Sequence, residues 1–289
     1  MRVSWRASAQ VRVPGSASVR RAAWSVLLGV LLVTGCRTGR NYATPDVPRY
    51  EGEPSRPAAV STGVDTLLVV AFNIRYSQRI DRAIDLLVSE PDLTDADILL
   101  LTEMDENGTW LIADALGMYY AYYPAVHHVR TGRDFGNAVL SRWPIVGHER
   151  ITLPHTARFQ RTHRTATAAT IRVGMTEVRA YATHLGTFFE IGPGARQEQL
   201  RTILEDAQPY ARAIIGGDMN DGRIGPTAGA YGFTWPTQYG PNTMLFGRVD
   251  HIFLKNLPTP DSAAAGTVRD SRGASDHLPV WTRVILRIR

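Results

Sequence analysis

The chain has 289 residues and a formal net charge of +5 at pH 7, from 32 basic and 27 acidic residues. Its single cysteine excludes an intrachain disulfide bond. Once the N-terminal segments described below are set aside, about 225 residues remain, which is within the range of one large domain.

The first 36 residues have the pattern of a bacterial export signal. Residues 2–21 contain five arginines and no acid, and an apolar run follows at residues 22–33. That run is too short to span a bilayer, which needs about 20 apolar residues, but it suits a secretory signal. Val33-Thr34-Gly35-Cys36 also resembles a lipobox, in which the cysteine is acylated. We predict a signal peptide at residues 1–35, lipidation of Cys36 and an exported, membrane-anchored lipoprotein, periplasmic or on the cell surface; the alternative is an ordinary signal with a chance cysteine.

Cleavage of this signal changes the charge balance. The five arginines of residues 1–35 leave with it, so 27 basic residues remain against 27 acidic ones. Because nucleic-acid-binding proteins usually present excess basic charge, this balance counts against nucleic acid as the substrate. Residues 36–65 are polar, rich in Pro, Gly and Ser, and without periodicity, which predicts a flexible tether. The folded domain is predicted at residues 66–289.

Beyond the predicted tether, the apolar pattern predicts strands with helices between them. Residues 66–72 form a continuous apolar run, which is typical of a strand buried on both faces. Apolar residues at helical spacing predict a helix over residues 80–88, which Pro91 helps to end. The other predicted elements are strands at residues 97–102, 136–144, 165–173, 177–182, 213–217 and 277–286 and a helix at residues 195–207. Strands and helices that do not alternate strictly point to an α/β sandwich.

Residues that can bind a metal or move a proton lie at the ends of several of these strands: Asn73, Glu103, His184, Asp218, Asn220, Asp250, Asp276 and His277. Strand ends with these side chains can surround one small site with oxygen ligands and a histidine–carboxylate pair. Such a site supports metal-assisted attack on a phosphate ester.

Glu103 is the first candidate metal ligand. A carboxylate that ends an apolar strand is costly to bury unless it is paired or binds a cation, and oxygen ligands favour Mg²⁺ or Mn²⁺. Taken alone, Glu103 could instead cap a helix or form a salt bridge, and Asn73 could be a turn residue. Asp218 and Asn220 are two apart in an extended segment, so both side chains can contact one water, although Gly-Gly-Asp alone could be a plain turn.

The order of these segments and their local sequences resemble those of the endonuclease/exonuclease/phosphatase superfamily, which has a deoxyribonuclease I-like fold. The resemblance rests on Asn73-Ile74-Arg75, on the "LLTE" run that ends at Glu103, on Gly216-Gly217-Asp218-Met219-Asn220 and on Ser275-Asp276-His277-Leu278-Pro279-Val280. It extends from about Leu67 to about Val280. The resemblance implies a four-layer α/β sandwich, two packed β-sheets flanked by helices, with the site at one edge.

The resemblance also implies a role for each candidate residue. Glu103 would be the main metal ligand, and Asp276 would be directed to the metal or to another histidine. The implied catalytic roles are preparation of the attacking water by Asp218 and Asn220, stabilisation of the transition state by Asn73, His184 and His277, and orientation of a histidine by Asp250.

Other positions bear on the substrate. Arg75 departs from the family pattern, because nuclease members often have an acid there. We interpret Arg75 and Arg196 as contacts for an anionic substrate; the alternative for Arg196, with Gln199, is a solvated helix face. His251 is given no role, since many relatives have an aromatic residue there. Three arginines and a histidine within residues 158–164 either bind an anion or form solvated surface.

The expected function is hydrolysis of phosphate esters by a membrane-tethered, Mg²⁺-dependent phosphodiesterase or phosphatase. Phospholipid head groups or small phosphate esters are the favoured substrates. The alternatives are a nuclease of the same fold and a catalytically inactive surface binding protein. Specificity in this superfamily lies in loops around the site, predicted at residues 119–133, 153–164, 187–194 and 222–246.

Overall fold

The computed structural model describes residues 39–42, 44, 46–60, 64–129, 131–245 and 247–286. The predicted signal peptide and the predicted lipidation site Cys36 lie outside these residues. All described residues belong to one unit, Arg37–Arg289. None of the helices among them is long and apolar enough to cross a membrane.

The described chain contains thirteen strands, four α-helices and one short 3₁₀ helix at Pro236–Tyr239. The strands are β1 (Gly39–Asn41), β2 (Tyr50–Gly52), β3 (Thr66–Asn73), β4 (Ile98–Met104), β5 (Tyr119–His128), β6 (Arg133–Ser141), β7 (Ile145–Thr152), β8 (Thr165–Val173), β9 (Thr176–His184), β10 (Ala213–Asp218), β11 (Asp250–Lys255), β12 (Ala265–Thr267) and β13 (Val280–Ile285). The helices are α1 (Ile80–Ser89), α2 (Glu106–Leu116), α3 (Pro193–Asp206) and α4 (Gly225–Gly229). Every element predicted from the apolar pattern overlaps one of these.

The strands form two mixed sheets. The first has eight strands in the order β1-β5-β6-β4-β3-β13-β12, with β2 also paired to β5, and the second has five in the order β11-β10-β9-β8-β7. Each sheet contains one parallel pair, β3 with β4 and β9 with β10. The carboxyl ends of a parallel pair meet at one edge of their sheet, so each sheet brings two predicted site residues together.

Side-chain alternation along the strands divides the core into layers. Leu67, Val69 and Ala71 of β3 face the second sheet, where they share a buried cluster with residues such as Ala180 and Ile214. The alternate residues of β3 pack on α1 and α2. A third cluster fills the space between the second sheet and α3. The layers are therefore helices, sheet, sheet and helices, which confirms the predicted sandwich.

The segment predicted as a flexible tether contains two paired strands, which corrects that prediction. Residues 39–41 pair with the end of β5, and residues 50–52 pair with its beginning. The Tyr50 ring stacks on Tyr122 with centroids 5.8 Å apart. Edge strands form through backbone hydrogen bonds, so they need no apolar periodicity. The folded part therefore begins well before residue 66.

The expected loop at residues 119–133 is also wrong, because most of it is β5. This strand contains Pro124 and a shift in its register with β6 between Pro124 and Val126, and these irregularities interrupt the period-two pattern. Helix α2 and strand β7 were not predicted either. The side chain of Asp105 caps α2 by accepting a hydrogen bond of 2.8 Å from the Gly108 N–H.

The paired N-terminal segment predicts a stability effect. A chain that begins at residue 64 should unfold with a free energy about 2 kcal/mol lower than a chain that begins at residue 37, because β5 loses two partner strands and Tyr122 loses its stacked ring. Denaturant unfolding of the two chains measures the difference. Equal stabilities would show that residues 37–63 behave as the tether first predicted.

Candidate active site

The backbone of β4 places Glu103 outside the regular strand register. Thr102 and Met104 pair with consecutive residues of β6, so Glu103 between them has no partner, and its φ is 58°. A bulge of this kind turns a side chain out of the strand's alternation. The Glu103 side chain is only 13 % exposed, and burial raises the pKa of its carboxyl group. The bulge thus delivers a buried carboxylate to the edge of the first sheet.

Asn73, at the end of β3, connects this carboxylate to the second sheet. Its Nδ2 group donates hydrogen bonds to Glu103 Oε1 at 3.1 Å and to Asp218 Oδ2 at 3.2 Å. Its Oδ1 accepts the Arg75 N–H at 3.0 Å. The amide is fully buried, so these three bonds fix both carboxylates relative to one another.

Asp218 ends β10 between two other predicted site residues. It lies opposite His184 on β9 and opposite Asp250 on β11. Its Oδ1 accepts the backbone N–H of Asn220 at 2.9 Å, whereas its Oδ2 faces Asn73 and the site histidines. Burial and the neighbouring Asp250 charge raise the pKa of Asp218. A carboxylate with a raised pKa is a stronger base.

His277 and Asp250 form a buried pair, with Nδ1 of the ring 2.8 Å from Asp250 Oδ2. Burial alone lowers the pKa of His277, but the Asp250 carboxylate and other nearby carboxylates outweigh it and raise that pKa above its ordinary value. The ring therefore carries a second proton at neutral pH. Its Nε2 is 3.8 Å from Asp218 Oδ2.

His184 has the opposite protonation preference. Burial, together with the positive charges of Arg164 and His277, lowers its pKa well below the ordinary value. Nε2 is 3.4 Å from Asp218 Oδ2, and Nδ1 is 3.8 Å from Glu103 Oε1. Neither ring nitrogen has a hydrogen-bond partner among the described residues. Because buried polar atoms are normally hydrogen-bonded, this neutral ring is available to a ligand.

All of these residues lie within a segment that a family model matches. The model, of the Endonuclease/Exonuclease/phosphatase family, covers residues 70–277, more than half of the chain. The chain belongs to this family. Members of the family are phosphoric ester hydrolases and generally use a divalent metal. No curated protein matches the chain.

Several solved structures share the fold of this chain at low sequence identity. The endonuclease/exonuclease/phosphatase from Bacteroides vulgatus has a TM-score of 0.62 and 15% identity, with 77% of this chain and 99% of that chain covered. Sphingomyelinase C from Streptomyces griseocarneus has a TM-score of 0.57 and 18% identity, with 77% and 100% covered. D. rerio TDP2 complexed with single strand DNA product has a TM-score of 0.58 and 16% identity, with 76% and 98% covered. Identities this low show the fold alone.

Asp276 and Arg75, two residues expected at the site, lie at its solvent-exposed edge. The Asp276 side chain is 52% exposed, and its Oδ2 is 3.6 Å from Arg75 Nε, on a side chain of equal exposure. His277, next to Asp276, is buried, so the adjacent side chains point apart. The structure does not place Asp276 among the buried carboxylates. Arg75 remains open to solvent, where it can contact a substrate.

Three further residues support the site from behind. The Arg196 side chain is 8% exposed; its Nη1 donates to Ile191 O at 3.0 Å, and its Nε is 3.6 Å from Asp221 Oδ2. Gln199 is fully buried. Arg196 and Gln199 are therefore not a solvated helix face, and Arg196 holds a loop.

Asn220 also makes a structural contact. Its side-chain nitrogen donates to Leu185 O at 3.0 Å. Only the backbone of Asn220 contacts Asp218, unlike the expected shared water between two side chains.

Arg164 contributes more to the site than a solvated basic run would. Its side chain is 12% exposed, and Nε and Nη2 donate to Glu190 Oε2 at 3.2 and 2.7 Å. The guanidinium lies 5.8 Å from the ring centroid of Phe135, and that ring is 5.9 Å from His184. The sequence pattern indicated Arg164 only as one member of the basic run at residues 158–164, for which anion binding was one of two alternatives.

The donor set fits a divalent cation. Glu103, Asp218 and Asp250 are three buried carboxylates, and His277 is the one protonated histidine among them. The negative charge left over is costly in a buried site unless a cation compensates it. Atoms of Asp218, Asp250 and His277 all lie within 4.8 Å of one another, a group that could hold a metal ion; because His277 is protonated, the donors of this group are its carboxylate oxygens. Oxygen donors of this kind suit Mg²⁺ or Mn²⁺.

Gly217 gives a direct test of how the backbone positions Asp218. Its φ is 135°, and a Cβ there would overlap the carbonyl oxygen of Thr183. Gly217→Ala should therefore destabilise the fold by about 3 kcal/mol or more and displace Asp218. Gly229→Ala is the matched control, because a Cβ at Gly229 has no neighbour within 4 Å. Denaturant unfolding measures both, and equal behaviour of the two variants would refute the constraint.

Proposed function

We propose that the protein is a divalent-metal-dependent hydrolase of phosphate esters. The main support for this proposal is that three groups lie close to one carboxylate oxygen. Asp218 Oδ2 lies 3.2 Å from Asn73 Nδ2, 3.4 Å from His184 Nε2 and 3.8 Å from His277 Nε2. A base, a neutral imidazole and a charged imidazole in one buried cluster are suited to moving a proton while negative charge develops nearby.

Glu103 is the residue that would hold the metal. Asp250 already has a charged partner in His277, whereas the hydrogen-bond partner of Glu103 within the described part of the chain is the neutral Asn73. When bound, Mg²⁺ supplies charge neutralisation at the phosphate oxygens. Asn73 serves this arrangement by holding the Glu103 and Asp218 carboxylates in place.

Different side chains of the protein accept and donate protons or hydrogen bonds during the reaction. Asp218 Oδ2 takes the proton of the attacking water, and the Asn220 N–H holds the other oxygen of that carboxylate. His277, kept protonated by Asp250, donates from Nε2 to a phosphate oxygen as its charge increases. His184, neutral and without a hydrogen-bond partner among the described residues, donates a hydrogen bond to a second phosphate oxygen or to the leaving oxygen, which then takes its proton from water. Attack in line with the leaving group completes the hydrolysis in one step.

We infer that lipid head groups or small phosphate esters are the substrates. The equal numbers of acidic and basic residues after residue 35 leave no net excess of basic charge from which to form a broad basic face for a polyanion. Sphingomyelinase C is one solved protein of this fold. A nuclease is the alternative, since another was solved with a single strand DNA product; turnover of DNA that falls steeply with salt would favour it.

Replacement of the base gives the sharpest test of the mechanism. Asp218→Asn should lower turnover of a phosphate ester by about 10²–10⁴-fold, because the attacking water loses its proton acceptor. Asp114→Asn is the matched control, since Asp114 is exposed on α2. Steady-state assays with Mg²⁺ measure both variants. Near-normal turnover in a folded Asp218→Asn protein would remove Asp218 from the mechanism.

We also propose that Cys36 carries a lipid that tethers the protein to a bacterial membrane outside the cytoplasm. The lipobox-like residues 33–36 and the preceding signal pattern support this. Cys36→Ser should release the protein into the soluble fraction of fractionated cells. If the variant stayed in the membrane fraction as fully as the wild type, lipidation would not be the anchor.

A further inference from the structure

Two loops beside the site expose phenylalanine side chains. Phe159 lies on the loop at residues 157–162, and Phe188 and Phe189 lie on the turn at residues 187–190. They are 80 %, 69 % and 75 % exposed, and the rings of Phe188 and Phe189 pack with centroids 4.2 Å apart. Clustered exposed apolar groups mark interaction surfaces. We call these three residues the phenylalanine rim.

Hydrogen bonds hold the rim in a defined place. The Ala157 N–H donates to Thr162 O at 2.8 Å, which closes the first loop. The Glu190 N–H donates to Thr187 O at 3.0 Å, which closes the second. The Arg158 N–H donates to Glu190 O at 3.1 Å and joins the two loops. The rim is therefore one surface rather than two independent loops.

The rim lies next to the catalytic cluster. Three residues separate His184 from Phe188 in the chain, and Glu190 accepts the hydrogen bonds of Arg164. A cavity of about 150 Å³ is lined both by the rim loops, at Thr162 and Glu190, and by Phe135, whose ring contacts His184. The cavity therefore lies between the rim loops and a side chain that contacts the site.

Positive charge accompanies the rim. Arg158 and Arg161 are exposed on the first loop, and neither forms an ion pair within the part of the chain that the structure describes. Arginines without an ion-pair partner among the described residues, next to exposed phenylalanines, suit binding to a surface that has an apolar interior and anionic groups on its outer face. That is the chemistry of a bilayer with anionic head groups.

Strand β1 contacts the first loop of the rim. Asn41 of β1 contacts the first loop twice: its Nδ2 donates to Arg161 O at 2.9 Å, and its Oδ1 accepts the His163 N–H at 2.9 Å. These contacts help to fix the first loop of the rim.

We propose that the phenylalanine rim docks on an anionic bilayer surface and presents a head-group phosphate ester to the catalytic cluster. This inference rests on the proposed function, because it assigns the substrate of that site to the membrane. Phenylalanine rings enter the interfacial region while the two arginines pair with anionic head groups. Single-stranded nucleic acid can also stack on aromatic rings, but the balanced charge after residue 35 favours lipid.

Vesicle sedimentation tests the docking without the lipid anchor. The protein is the chain from residue 37, which contains every described strand and helix of one unit. The vesicles are phosphatidylcholine with or without phosphatidylglycerol. Replacement of all three rim residues by serine should lower binding to the anionic vesicles about tenfold or more. Met175→Ser is the matched control, because Met175 is 97 % exposed at the other end of β9 and should bind like the wild type.

The binding readout is independent of turnover. Asp218→Asn should bind vesicles like the wild type, so an inactive enzyme would refute the proposed function and leave the docking standing. Absence of wild-type binding, or equal binding by the serine variant, would overturn the docking. Binding of single-stranded oligonucleotide alone, or a dimer that the serine variant abolishes without any vesicle binding, would assign the rim to nucleic acid or to a second copy.

Discussion

The hydrogen bonds of Asn73 join the two sheets at the point where the site forms. One amide group bridges Glu103 of the first sheet and Asp218 of the second. The bridge depends on β3 and β10 ending at the same edge, and this depends on the common core that packs one sheet on the other. The geometry of the site is therefore a consequence of sheet packing, and a shift of either sheet would separate the two carboxylates.

The second constraint is electrostatic. Three buried carboxylates face one protonated histidine, an arrangement that costs stability and that a bound cation relieves. Desolvation raises the pKa of Glu103 and Asp218, whereas the charge of Asp250 keeps His277 protonated despite its burial. The low-polarity surroundings make the cluster costly. They also contribute to the difference between the pKa values of its acidic and basic groups, as the proposed hydrolysis requires.

Apolar runs were sufficient to predict β3, β4 and β10, because strands covered on both faces need apolar side chains throughout. The polar residues at their ends identified most of the cluster. Edge strands β1 and β2 could not be found in this way, since backbone hydrogen bonds hold them and their sequence is polar. The bulge at Glu103, the burial of Arg196 and the exposure of Asp276 arise from tertiary contacts that no local pattern encodes. The burial of Arg164, which the sequence indicated only as part of a basic run, arises in the same way.

The proposed activity of this buried cluster is the hydrolysis of phosphate esters with a divalent metal. The most direct measurement compares the chain from residue 37 with its His277→Ala variant on a chromogenic phosphodiester and the corresponding monoester, in Mg²⁺ and in EDTA. We expect turnover that requires Mg²⁺ and is lost in the folded variant, with the preferred ester defining the substrate class. Turnover that survives EDTA, or that is equal in the two proteins, would contradict it.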